Sequence, residues 1–79
     1  MELGYSRFFV GQEVWIERTE FVESVDMIRN PQIIESITPI PVTHKGKDVT
    51  TYSIDIEGSS FIYSEVDLRP VTEVIDVNI

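Results

Sequence analysis

From Val49 to Glu57 the chain alternates. Tyr52, Ile54 and Ile56 fall on one side of an extended strand, and Thr51, Ser53, Asp55 and Glu57 fall on the other. A period of two fits a pleated strand with one wet face and does not fit a helix. This run makes β structure the frame for the rest of the chain. Gln12 to Arg18, opened by Gly11, repeats the pattern, with Val14 and Ile16 on one face and Glu13, Trp15 and Glu17 on the other. Gln32 to Thr43 carries Ile33, Ile34, Ile37 and Ile40 together with Pro39 and Pro41. Two prolines forbid a helix interior and argue for an edge or bent strand.

Turn chemistry separates these runs. His44-Lys45-Gly46-Lys47-Asp48 reads as a hairpin tip, and Gly58-Ser59-Ser60 as a second turn. Phe61 to Ser64 is a short aromatic strand. Val66-Asp67-Leu68-Arg69-Pro70 suits a short 3₁₀ turn before a last strand over Val71 to Ile79, with Val71, Ile75, Val77 and Ile79 on one face. Thr19 to Asn30 fits two periods. Phe21, Val22, Val25 and Ile28 make a helical stripe, whereas Phe21, Val25 and Met27 make a strand face. Pro31 ends either one, because the residue before a proline avoids the helical region. The segment reads as an extended excursion or short strand, with a single helical turn as the alternative.

Five or six short strands, tight turns and a turn before the last strand predict a mostly β fold: a small, strongly bent antiparallel barrel. Val10-Gly11-Gln12-Glu13-Val14-Trp15-Ile16 resembles the first strand of SH3-like barrels. The Tyr52 to Tyr63 hairpin, followed by Asp67-Leu68-Arg69-Pro70, resembles their closing strands. The resemblance covers most of residues 10–75 and implies one SH3-like domain over 1–79 with an ordered core over about 10–78. It implies a fold and no activity, since small barrels host many functions. The aromatic pattern by which signalling SH3 domains hold proline-rich peptides is not recognisable.

The 79 residues include no cysteine, which excludes disulfides and thiolate metal sites. Small secreted domains usually need such staples, so the expected location is the cytoplasm. There is no apolar run of membrane-spanning length and no signal-peptide pattern at the N-terminus. Fourteen acids against six bases give a net charge of −8, a field that repels nucleic acid and anionic lipid. The charge is uneven. Glu13, Glu17, Glu20, Glu23 and Asp26 surround the single base Arg18. Asp48, Asp55, Glu57, Glu65, Asp67, Glu73 and Asp76 surround the single base Arg69. Between them, Arg29, Lys45 and Lys47 face Glu35 alone, so the middle is mildly basic.

The residues for catalysis are few. His44 is the one histidine, and it sits at a hairpin tip with neither a pocket nor an orienting partner expected. No serine or threonine lies in a nucleophile-elbow pattern, so the chain reads as no enzyme. Asp55 and Glu57 share a strand face but do not make an oxygen cage, and no metal or other cofactor is expected. Lys45-Gly46-Lys47 lacks the spacing of a phosphate-binding loop. Trp15, flanked by Glu13 and Glu17, points away from Val14 and Ile16. It belongs to an interface, or else covers a small second cluster with Phe21 or Phe61.

Carboxylates at alternate strand positions stand roughly 6.6 Å apart and can imitate a phosphate backbone. In size, charge and style the chain is similar to host-takeover proteins of bacterial viruses, which include inhibitors of the sliding clamp and of nucleoid proteins. That resemblance implies a virus-encoded inhibitor acting in the bacterial cytoplasm. It would occupy the DNA-binding surface of a host replication or DNA-packaging protein, with the sliding clamp as the leading target. The contact residues would be Glu13, Trp15, Glu17, Glu20, Glu23, Asp26, Asp55 and Glu57. The partner is a basic or DNA-binding protein, with a homodimer possible and no direct contact with nucleic acid or membrane. The alternative is an assembly subunit that binds through Trp15 and apolar strand surface, its acids serving solubility.

Overall fold

A computed structural model describes residues 7–71. They form five antiparallel strands in one sheet: β1 (Glu13–Ile16), β2 (Gln32–His44), β3 (Lys47–Ile56), β4 (Ile62–Tyr63) and β5 (Leu68–Pro70), in the spatial order β4-β3-β2-β1-β5. A 3₁₀ turn, Glu65–Asp67, lies between β4 and β5. The predicted mostly β fold is therefore present, with its turn before the last described strand.

The sheet must curl. β4 and β5 are its two edges, yet only Ser64 and the three-residue turn connect them. Five flat strands would put these edges about 19 Å apart at ~4.8 Å per step. A 3₁₀ turn rises only about 2 Å per residue. The short connection is satisfied only by a sheet bent back on itself. The pairings do not close a ring, because β4 and β5 share no ladder among the described residues.

A bulge helps to bend β2. The register with β3 shifts between Ile34 and Ser36, leaving Glu35 as the extra residue. An inserted residue bends a strand and re-aims the side chains beyond it. Ile34 and Ile37, three apart in sequence, would point to opposite faces of a regular strand. Here Ile34 is buried and Ile37 packs against the same core. That core consists of Phe8, Val14, Ile16, Ile34, Ile54, Ile56, Tyr63 and Leu68, with Val22, Met27 and Ile37 against it. Phe8 precedes the expected core boundary at residue 10 and is nevertheless 4% exposed.

Several expectations need correction. Thr19 to Asn30 contains no strand. It is irregular up to a one-turn helix, α1 (Asp26–Arg29), which puts Met27 on the core and leaves Phe21 and Val25 exposed. β2 is central in the sheet only near its start, where Gln32 and Ile33 pair with β1 and the ladder with β3 begins at Ile34. Along Pro39 and Pro41 it pairs with β3 alone and is an edge, as the prolines suggest. The 3₁₀ turn is shorter than expected, and Leu68 to Pro70 already forms the strand that pairs with β1. Val71 is a bend, and the rest of the strand expected over Val71 to Ile79 lies outside the described residues.

β2 and β3 continue past the core as a two-stranded arm, in which every residue from Thr38 to Thr51 is exposed. Lys45 (φ 52°) and Gly46 (φ 79°) form its two-residue turn. Two positive φ values in succession are the requirement of a type I′ hairpin, and they explain the glycine at the tip.

Candidate functional site

The expected contact residues fall into two groups. On β1, Val14 and Ile16 face the core and are 0% and 3% exposed, so Glu13 and Trp15 stand on the outer face, with Glu17 just beyond the strand. Glu13 pairs with Ile33 of β2, and on the other side of Ile33 its carbonyl accepts the Glu57 N–H at 2.9 Å. Asp55 also points outward, since Ile54 and Ile56 are both buried. Glu13, Trp15, Glu17, Asp55 and Glu57 thus point to the outer side of the sheet, and of these Glu13 and Glu57 flank Ile33. At one strand spacing per step, the backbones of Glu13 and Glu57 stand about 10 Å apart across β2.

Hydrogen bonds divide these acids further. The Glu17 carboxylate accepts from Arg69 Nε at 2.7 Å, and Trp15 pairs with Arg69 in the β1–β5 register. Ser36 Oγ donates to Asp55 at 2.7 Å. Glu13 and Glu57 have no side-chain partner among the described residues, so their charge is directed wholly to solvent. Trp15 is partly buried on this face. It is not part of the aromatic pair, because Phe21 and Phe61 stack on each other with centroids 5.7 Å apart.

Glu20, Glu23 and Asp26 lie elsewhere, on the segment that joins β1 to β2. This segment is fastened by several contacts. The Tyr63 hydroxyl donates to the Phe21 carbonyl. The Glu23 carboxylate accepts from Ser60 N–H at 2.5 Å and Ser60 Oγ at 2.7 Å. These bonds, the backbone one foremost, hold the Glu23 carboxyl below its usual range. Arg18 lies over the Phe21 ring at 4.8 Å, holds Glu20 at 3.3 Å and reaches Asp67 at 3.3 Å. Asp26 has an exposed side chain at the start of α1.

Asp67 is the one buried charged residue among those described, at 8% exposure. Burial pushes its carboxyl upward. The Ser64 N–H (2.9 Å), Arg18 and the Ser64 hydroxyl (3.1 Å) outweigh that and hold it below its usual range. Sequence reasoning misses this pairing of Arg18 with Asp67. The one signal for it in the sequence is Arg18's position as the only base among five acids.

The lysines keep apart from all of this. Lys45 and Lys47 sit at the arm's tip beside His44, while Thr43 Oγ1 donates to Asp48 at 3.1 Å. Among the described residues no group of three or more histidine, aspartate or glutamate side chains is placed to hold a metal ion, and no helix is long and apolar enough to cross a membrane.

The fold and this face define a class, a small curled antiparallel sheet with an acidic outer surface and a projecting β arm. Comparison with known proteins finds no matching family, no similar curated protein and no similar solved structure.

Proposed function

We propose that this chain is a non-enzymatic binding protein whose acidic outer face occupies the basic, DNA-binding surface of a partner. One observation carries the reading. The outer side of the sheet carries Glu13 and Glu57 on either side of Ile33, with Trp15 next along β1 and Asp55 on β3, and Arg69, opposite Trp15, is already engaged by Glu17. Apolar side chains flanked by carboxylates offer a partner both a desolvated anchor and a negative field. Asp55, held by the neutral Ser36 hydroxyl, presents its charge at a set position, whereas the charge of Glu17 is offset by Arg69. A bacterial sliding clamp or nucleoid protein, in a cell taken over by a virus, is the target that charge and size favour.

The test is affinity capture from a bacterial lysate at low and at high salt. A DNA-binding protein retained at low salt, released at high salt and displaced by added DNA is the expected result. Retention that ignores salt and DNA overturns the reading. It would favour an assembly subunit instead, a reading supported by the exposed apolar residues of the arm, Ile40 (41%), Val42 (38%) and Val49 (41%). In that case Trp15→Ala or Val49→Thr abolishes capture, while charge reversal on the outer face does not.

A further inference from the structure

The arm has two long edges, and they are not alike. In a two-residue hairpin the pair flanking the turn, His44 and Lys47, exchanges both backbone hydrogen bonds, and every second pair after it does the same. Val42–Val49, Ile40–Thr51 and Thr38–Ser53 therefore bond inward. Pro39, Pro41 and Thr43 direct their backbone groups to the outer edge of β2, and Asp48, Thr50 and Tyr52 direct theirs to the outer edge of β3. Prolines lack an N–H, so the β2 edge has lost two donors in a row, a known way to block strand addition. The β3 edge has no such block. β4 covers it only at Ile54 and Asp55, and no described strand pairs with Lys47 to Ser53.

We propose that this open edge is a self-association site, at which β3 pairs antiparallel with β3 of a second copy. The available stretch is bounded by the Lys45–Gly46 turn at one end and by β4 at the other. Its centre is Thr50, so pairing that uses the whole stretch places the two-fold axis there and fixes the register. Thr50 meets Thr50 of the second copy, Asp48 meets Tyr52, Val49 meets Thr51, and Lys47 meets Ser53. Thr50, Asp48 and Tyr52 are the outward-bonding residues, so each of their pairs exchanges both backbone bonds. Thr–Thr and paired β-branched side chains are favourable cross-strand neighbours, and neither Asp48 nor Lys47 meets its own kind. Lys47 lies diagonal to Asp55 of the second copy, within reach of a long side chain.

Charge selects this partner and this approach. Two copies at −8 repel over most of their surfaces. The arm, residues 38–53, carries Lys45 and Lys47 against Asp48 alone, so it is the part through which like copies can meet.

The test is sedimentation equilibrium of the full chain, with Thr50→Pro and Thr50→Lys beside it. The N–H of Thr50 points away from β2, so Thr50→Pro keeps the hairpin ladder and removes the central intermolecular donor. Thr50→Lys puts two like charges face to face on the axis. The wild type is expected at twice 9.1 kDa, and both variants at 9.1 kDa with unchanged far-ultraviolet circular dichroism. If Thr50→Pro unfolds, Thr50→Lys decides. A wild type that stays at 9.1 kDa at the highest attainable concentration overturns the proposal. So does a folded Thr50→Lys that stays dimeric.

Discussion

Replacing Asp67 with alanine tests how the two edges of the sheet are joined. Its carboxylate caps the 3₁₀ turn through Ser64 and holds Arg18, and the turn delivers Leu68, 2% exposed, into the core. Losing a cap costs about 1–2 kcal/mol, and here both bonds from Ser64 go together. The Arg18 contact adds little, because the guanidinium is exposed and screened. The expected cost of Asp67→Ala is thus about 2 kcal/mol, against a total stability of roughly 4–12 kcal/mol for a chain of this length. In a domain this small that lowers Tm by roughly 8–16 °C. The cost depends on pH with a definite sign. The folded carboxyl lies below its usual value of 3.8. Its stabilisation is therefore complete above that value and drains away as pH falls through the folded value. Urea denaturation followed by Trp15 fluorescence should show the full gap between wild type and Asp67→Ala at about pH 7 and a smaller gap at about pH 3. An equal gap at both pH values, or one under about 0.5 kcal/mol at neutral pH, would refute the reasoning.

Ile54→Ala, at a site with 0% exposure, should cost about 2–5 kcal/mol in the same assay, and a cost below about 1 kcal/mol would mean that the core relaxes around the cavity. Tyr63→Phe removes the donor to the Phe21 carbonyl and should cost about 1–2 kcal/mol, with faster amide exchange along residues 19–25. Gly46→Ala meets no atom within 4 Å, so its cost should be the backbone term alone, about 1 kcal/mol; a larger thermal shift would point to a hidden contact at the tip. Ser60→Ala removes the hydroxyl bond to Glu23 and keeps the stronger backbone one, so the Glu23 carboxyl, followed by NMR, should titrate only somewhat closer to the usual 4.5 than in the wild type.

The parts legible in the sequence are those with a strict local period. Val14 and Ile16 on β1, and Ile54 and Ile56 on β3, read correctly because a pleated strand leaves their alternation intact. The tip is legible because Gly46 marks a turn that needs positive φ. The illegible parts depend on events that hide the period. Ile34 and Ile37 share a core through a bulge at Glu35, and a bulge leaves no mark in composition. Thr19 to Asn30 follows neither of its two periods for long. Its placement comes from distant contacts, Glu23 to Ser60 and Phe21 to Phe61, which no local reading contains. In sequence the acids from Glu13 to Asp26 look like one surface. The chain turns after Glu17, and this separates Glu20, Glu23 and Asp26 from the outer face, while the sheet brings Asp55 and Glu57 to it.

The separation decides which acids to change. Reversing Glu17 or Glu20 would set a lysine against Arg69 or Arg18 and disturb the fold. Glu13 and Glu57 have no side-chain partner among the described residues and can be reversed without that effect. The most direct measurement is therefore the affinity of the captured partner for wild type and for Glu13→Lys/Glu57→Lys, taken across a salt series. The account predicts that wild-type affinity falls steeply with salt, and that the double variant binds at least about tenfold more weakly at low salt, with a shallower slope. Equal affinities and equal slopes would contradict it.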